Sequence, residues 1–214
     1  MSNSAFLLAG SERQLDAWWD AGEESGAVVL SQCGRGTPVL WPAMFESSEI
    51  SLHAPDPESD APTRYRLRTD PLAGAERLIT RHAAVAGLLS VPADLSDWAG
   101  LIADALRRIK ARWIELDVTE QVLLIGPERY FPELLSFLRY VANPRRYAGG
   151  LASLLPRRKR TFRQAHNFVA YACNLLDVPR IPTIAEYQQD PTEYGGVTAD
   201  LVGCYEDFAK SHQG

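Results

Sequence analysis

The chain is poor in the features that announce chemistry locally. Its 214 residues include three cysteines, Cys33, Cys173 and Cys204, an odd number with no C-x-x-C spacing. That excludes a disulfide framework and a zinc module and leaves buried, reduced thiols as the expectation. No basic segment leads into a long apolar one at the N-terminus, and no apolar run approaches the roughly 18 residues of a membrane span. The expectation is therefore a soluble protein that stays in the cytoplasm. No G-x-S-x-G, H-E-x-x-H, Walker or kinase signature is present. No internal repeat or low-complexity segment points to a solenoid or a disordered tract.

What the chain has is an uneven charge. The net of −5 is composed of an acidic stretch at 1–63, with ten acids against two bases, a basic one at 64–163, with ten against eighteen, and an acidic one at 164–214, with seven against two. Charges of this kind either intermix in space and keep the protein soluble, or form an acidic face that attracts a basic partner. A chain of this length buries roughly 70% of its unfolded surface and suits one domain.

The clearest local order lies at 95–141. Leu95, Trp98, Leu101, Ile102, Ala105, Leu106 and Ile109 are three and four apart with polar residues between them, which predicts an amphipathic helix. Ser96 is the expected N-cap, and Asp104 is placed to pair with Arg108. Ile114, Leu116 and Val118 alternate with Glu115, Asp117 and Thr119, the period of a half-exposed strand. The unbroken run Val122-Leu-Leu-Ile125 reads as a buried strand, or as the first strand continued after a kink. Gly126-Pro127 then starts a helix with Phe131, Leu134, Leu135, Leu138 and Val141 inward.

Elsewhere, short strands are expected at 4–9, 27–30 and 49–53. Ser11 is a candidate cap for a helix bearing Leu15, Trp18 and Trp19, one tryptophan in the core and the other partly covered or a contact residue. Trp41 and Phe45, in a proline-started turn, should pack inward. Arg64-Tyr-Arg-Leu-Arg68 alternates as an edge strand would, with its arginines on one face. Asp70-Pro71 opens a helix to about residue 89, with Leu72, Ala75, Leu78, Ile79, His82 and Val85 along one side. A further helix follows Pro156, the stretch from Pro179 to Gly196 is loop-like with a Gly195-Gly196 turn, and Thr198 caps a last short helix. The result is an α+β fold, a single domain at 1–214. A mixed or antiparallel sheet of short strands packs against amphipathic helices, with an acidic loop at 54–63 and a helical part from about 156.

Several short patterns resemble parts of known sites without completing them. Asp56, Glu58 and Asp60 mimic the start of a calcium loop, but its glycine and closing glutamate are missing. Cys33-Gly34-Arg35-Gly36 lacks the remaining residues of a phosphate loop. His82 has no partner at i+4 for a helical metal pair, and Cys173 with His166 is spaced as a core stripe also would be. No cofactor or metal is indicated. The basic cluster Arg157-Arg158-Lys159-Arg160 can neutralise phosphates, but no helix-turn-helix, RNA-stacking motif or zinc module accompanies it.

Three motifs resemble those of a known family. The start of the chain through Phe6 and Leu7, the segment Pro38-Val-Leu-Trp41-Pro-Ala-Met-Phe45, and Trp113-Ile-Glu115-Leu-Asp117-Val-Thr-Glu120 are similar to motifs of an uncharacterised bacterial cytoplasmic protein family associated with toxin-immunity and secretion-system loci. The resemblance implies an immunity protein that binds a cognate toxin and occludes its active site; it carries over no functional residue. The acids Glu46, Glu49, Asp56, Glu58 and Asp60 are the candidate partner-binding set, steering a basic toxin. A small enzyme with a non-local active site and a nucleic-acid-binding protein are the alternatives.

Overall fold

A computed structural model describes residues 4–11, 27–34, 36–53, 63–147, 155–175 and 180–209. Five strands, β1 (Ala5–Gly10), β2 (Ala27–Cys33), β3 (Ile50–His53), β4 (Arg64–Thr69) and β5 (Trp113–Asp117), form one sheet in the order β2-β1-β5-β4-β3. Every pairing is antiparallel. Helices α1 (Pro71–Ala86) and α2 (Ser96–Arg108) intervene between β4 and β5. After β5 come α3 (Thr119–Ile125), α4 (Pro127–Ala142), α5 (Pro156–Asn167), α6 (Ile184–Gln189), α7 (Pro191–Val202) and α8 (Tyr205–Ala209). The architecture is α+β.

Several expectations change. β4 is not an edge strand, because β3 pairs on one side of it and β5 on the other. Its arginines alternate for a different reason: Arg66 and Arg68 stand opposite Asp117 and Glu115 of β5, so cross-strand charge pairing, rather than water, occupies that face. β5 is accordingly buried along its whole length instead of half-exposed. The run at 122–125 is not a strand. Asp117 Oδ1 accepts the Thr119 N–H at 2.9 Å and turns the chain, and the Val118 carbonyl accepts the Val122 N–H at 2.9 Å, which starts α3. Leu123 and Leu124 therefore face outward, 51% and 60% exposed. The helix stops at Gly126, whose φ of 92° suits glycine.

Smaller corrections follow the same logic. Ser96 is the first residue of α2 rather than its N-cap, and its N–H donates to Asp94 Oδ1 at 2.9 Å; Asp104 pairs with Arg107 at 2.8 Å. On α1, Leu72 and Ile79 are exposed, and Gly74 and Arg81 are buried in their stead. Residues 180–183 are loop-like as expected, but from Ile184 to Gly196 the chain is largely helical. Thr183 and Glu186 form a capping box, Asp190 accepts the Thr192 and Glu193 N–H groups, and Gly195 and Gly196 lie inside α7. Thr198 is thus mid-helix, not a cap. The helix expected to carry Leu15, Trp18 and Trp19 lies outside the described residues.

The segment 36–45 ties the sheet to the C-terminal helices and is buried throughout. Its backbone N–H groups at Thr37, Val39 and Leu40 donate to the carbonyls of Ala172, Asp200 and Leu201. Trp41, fully buried as its spacing suggested, donates from Nε1 to the Val202 carbonyl at 2.9 Å. Gly203 follows with φ 81°, and a Cβ there would run into the Trp41 ring. Gly203→Ala should therefore cost about 1–3 kcal/mol from backbone strain alone, read as a lower urea midpoint with an unchanged m-value.

Candidate functional site

Of the five acids singled out, the structure describes two. Ser47–Glu49 is a single 3-10 turn, and Glu46 precedes it. Glu49 accepts from Arg77 Nη1 at 2.8 Å, from the Thr69 hydroxyl at 2.8 Å and from the Glu46 N–H at 2.7 Å. Glu46 pairs with Arg81 and lies 3.5 Å from Arg77 Nε. Arg81 also donates to the Phe45 carbonyl at 2.7 Å, which anchors this turn to α1. Each carboxylate thus faces an arginine, although the Glu46 side chain remains 36% exposed. Asp56, Glu58 and Asp60 lie outside the described residues, as does nearly all of the acidic loop.

Arg77 and Arg81 were not anticipated. The available signal was two bases four apart on α1 and two acids three apart at 46 and 49, but nothing local ties the pairs together across the 28 residues that separate Glu49 from Arg77.

A second ionic group lies on the sheet. Arg68 grips Glu115 through Nε at 2.8 Å and Nη2 at 2.7 Å, and its guanidinium lies 4.7 Å from the centre of the Trp113 ring. Arg66 bridges the two acids of β5, with Nη1 3.4 Å from Glu115 and Nε 3.5 Å from Asp117. Burial raises the pKa of Glu115 above the usual carboxylate value even though both arginines pull it down. A carboxyl perturbed in this way can serve as a catalytic acid or base. Here Glu115 is fully buried, so nothing reaches it from solvent, and its role is to hold β4 against β5.

The thiols and imidazoles do not converge. His166 Nδ1 meets the Leu88 carbonyl at 3.0 Å, and His82 Nδ1 that of Ile79 at 2.7 Å. Cys173 is fully buried, and burial pushes its thiol well up, so the pair it forms in sequence with His166 has no ready nucleophile. Cys204 S–H donates to Glu206 Oε2 at 3.1 Å. Burial, and then that carboxylate, raise the Cys204 thiol from 9.0 to about 11. The folded state therefore favours the protonated thiol. The stability this contributes is fully present below pH 9.0 and is lost as the pH rises through about 11. Iodoacetamide should modify Cys204 in the folded protein far more slowly at pH 8 than it modifies the denatured chain, with Glu206→Gln accelerating the reaction. Among the described residues no three histidines, cysteines or carboxylates are placed to hold a metal ion.

The surface opens elsewhere. α4 and α5 pack through Tyr140 against Phe162 at 5.5 Å between ring centres, and Ser136 donates to Gln164 at 3.0 Å. Beside this contact lies a groove of about 780 Å³ lined by Arg139, Arg146, Arg157 and Arg158 together with Tyr147 and Leu155. Sequence reasoning singled out Arg157 and Arg158 as part of a basic cluster; it missed Arg139 and Arg146, which only the α4–α5 packing brings to the same place.

The fold and these surfaces define an α+β protein built on one antiparallel sheet, with ion groups on the β4–β5 pair and between α1 and the 46–49 turn. No family model, no curated protein and no solved structure matches the chain.

Proposed function

We propose that this chain is an immunity protein of the bacterial cytoplasm, which binds a cognate toxin and occludes its active site. The observation that carries the reading is the exposure of large apolar side chains on regular elements, the adjacent Leu123 and Leu124 of α3 above all. Val28 and Val29 on the edge strand β2 are 63% and 44% exposed, Leu52 on the opposite edge is 64% exposed, and Leu123 and Leu124 stand out from α3. Exposed apolar groups on regular elements are what a rigid protein-binding surface requires. The motifs that resemble the immunity-associated family support the same reading. In it, Asp56, Glu58 and Asp60 steer a basic toxin toward the protein and raise the association rate, while Glu46 and Glu49, paired with Arg81 and Arg77, add little to that field.

The test is co-expression of this chain with the toxins encoded beside it. The expected result is protected growth and co-purification as a complex, weakened by Leu123→Asp with Leu124→Asp. Unprotected growth together with no complex with any neighbouring product would sink the reading. Reversing Asp56, Glu58 and Asp60 to lysine should slow association by about tenfold while leaving dissociation nearly unchanged.

A further inference from the structure

Between Glu133 and Asp177 the chain has eight arginines and lysines and no acid. Among the described residues none of the eight is within ion-pairing reach of a carboxylate, whereas Arg66, Arg68, Arg77, Arg81, Arg107, Arg129 and Arg180 each have one. Four of these unneutralised bases are gathered in the groove between α4 and α5, and Arg139, Arg146 and Arg157 are exposed. An acidic protein that lines one groove with four arginines, none paired with a carboxylate among the described residues, holds a local field of the opposite sign to its net charge. The α5 N-terminus adds to it, since the first turn carries no acid and Leu155 supplies no side-chain cap.

The chemistry of the walls narrows the occupant. Guanidinium forks match carboxylates and phosphates, but the floor made by Tyr147, Leu155 and Pro156 is apolar, and Leu155 is 49% exposed. Single-stranded nucleic acid would need open ring faces on which bases stack. Tyr147 instead has the Arg146 guanidinium 6.0 Å from its ring centre and Tyr140 at 6.3 Å, and Phe162 packs edgewise on Tyr140. A groove of about 780 Å³ fits a few residues of peptide rather than a long strand or duplex. We propose that this groove is a docking site for an acidic peptide segment of a partner protein, whose carboxylates meet the arginines and whose apolar side chain sits on the Tyr147–Leu155 floor. The proposal goes beyond toxin neutralisation and does not rest on it.

The probe is a fluorescein-labelled peptide of about ten residues alternating glutamate and leucine, titrated by anisotropy with the full chain. Saturable binding is expected, falling as salt screens the charges. It should weaken at least about tenfold when Arg157 and Arg158 become serine, and likewise for Arg146→Ser on the other wall. Arg107→Ser, on α2, should leave binding unchanged, and circular dichroism checks that each variant is folded. Failure to bind, binding indifferent to the groove arginines, or equal binding of an all-glutamate peptide would each overturn the proposal. So would tighter binding of a labelled oligothymidine of the same length, in favour of nucleic acid. Loss of protection in co-expression, with peptide binding intact, would remove the immunity reading and leave this one standing.

Discussion

Glu115→Ala should lower the stability of the protein by about 3–5 kcal/mol, because it removes one partner of a buried ion group and leaves the others uncompensated. Arg66, whose side chain is 3% exposed, would lose its Glu115 contact while Asp117 stays at 3.5 Å, and Arg68 would lose a two-point grip. Arg68→Met combined with Glu115→Leu should cost clearly less than the sum of the single changes, since Arg68 is removed together with the carboxylate it grips and Arg66 keeps Asp117. Urea unfolding measures all three variants. If Glu115→Ala stays within about 1 kcal/mol of wild type, the sheet does not depend on this ion group.

Trp41→Ala should be comparably severe, about 3–5 kcal/mol for a fully buried tryptophan. Its effect should also be localised. Trp41 holds the Val202 carbonyl, its ring closes over Gly203, and the neighbouring backbone N–H groups of Val39 and Leu40 reach Asp200 and Leu201. Amide exchange should accelerate most in α7, ahead of β1 and β5. Uniform acceleration across the protein would mean that the 36–45 segment is no special tie between the sheet and the C-terminal helices.

These two sites show what could and could not be read from the chain. Trp41 and Phe45 were legible as core because a proline-started turn carrying large apolar groups has few other uses. The α2 helix was legible because apolar residues recur at the helical period over three turns. The 122–125 run was not: four consecutive apolar residues fit a strand or a short helix equally, and the deciding contact is one carboxylate, Asp117, on the Thr119 N–H. The arginines of β4 were visible as an alternation, but alternation does not say whether water or a carboxylate lies opposite. The answer comes from Glu115, 47 residues from Arg68 in the chain. The groove was half legible, since the Arg157-Arg158 cluster is local while Arg139 and Arg146 arrive there by helix packing. Glu46 and Glu49 stood out as acids, yet their arginine partners depend on α1 lying against the 3-10 turn.

The most direct test of the account is a titration of a neighbouring toxin's activity with this protein. Binding and occlusion predict that toxin activity falls in proportion to added protein and reaches zero near equimolar amounts, with Leu123→Asp plus Leu124→Asp shifting the curve to higher concentration. Undiminished toxin activity at saturating protein, for every toxin encoded beside it, would contradict it.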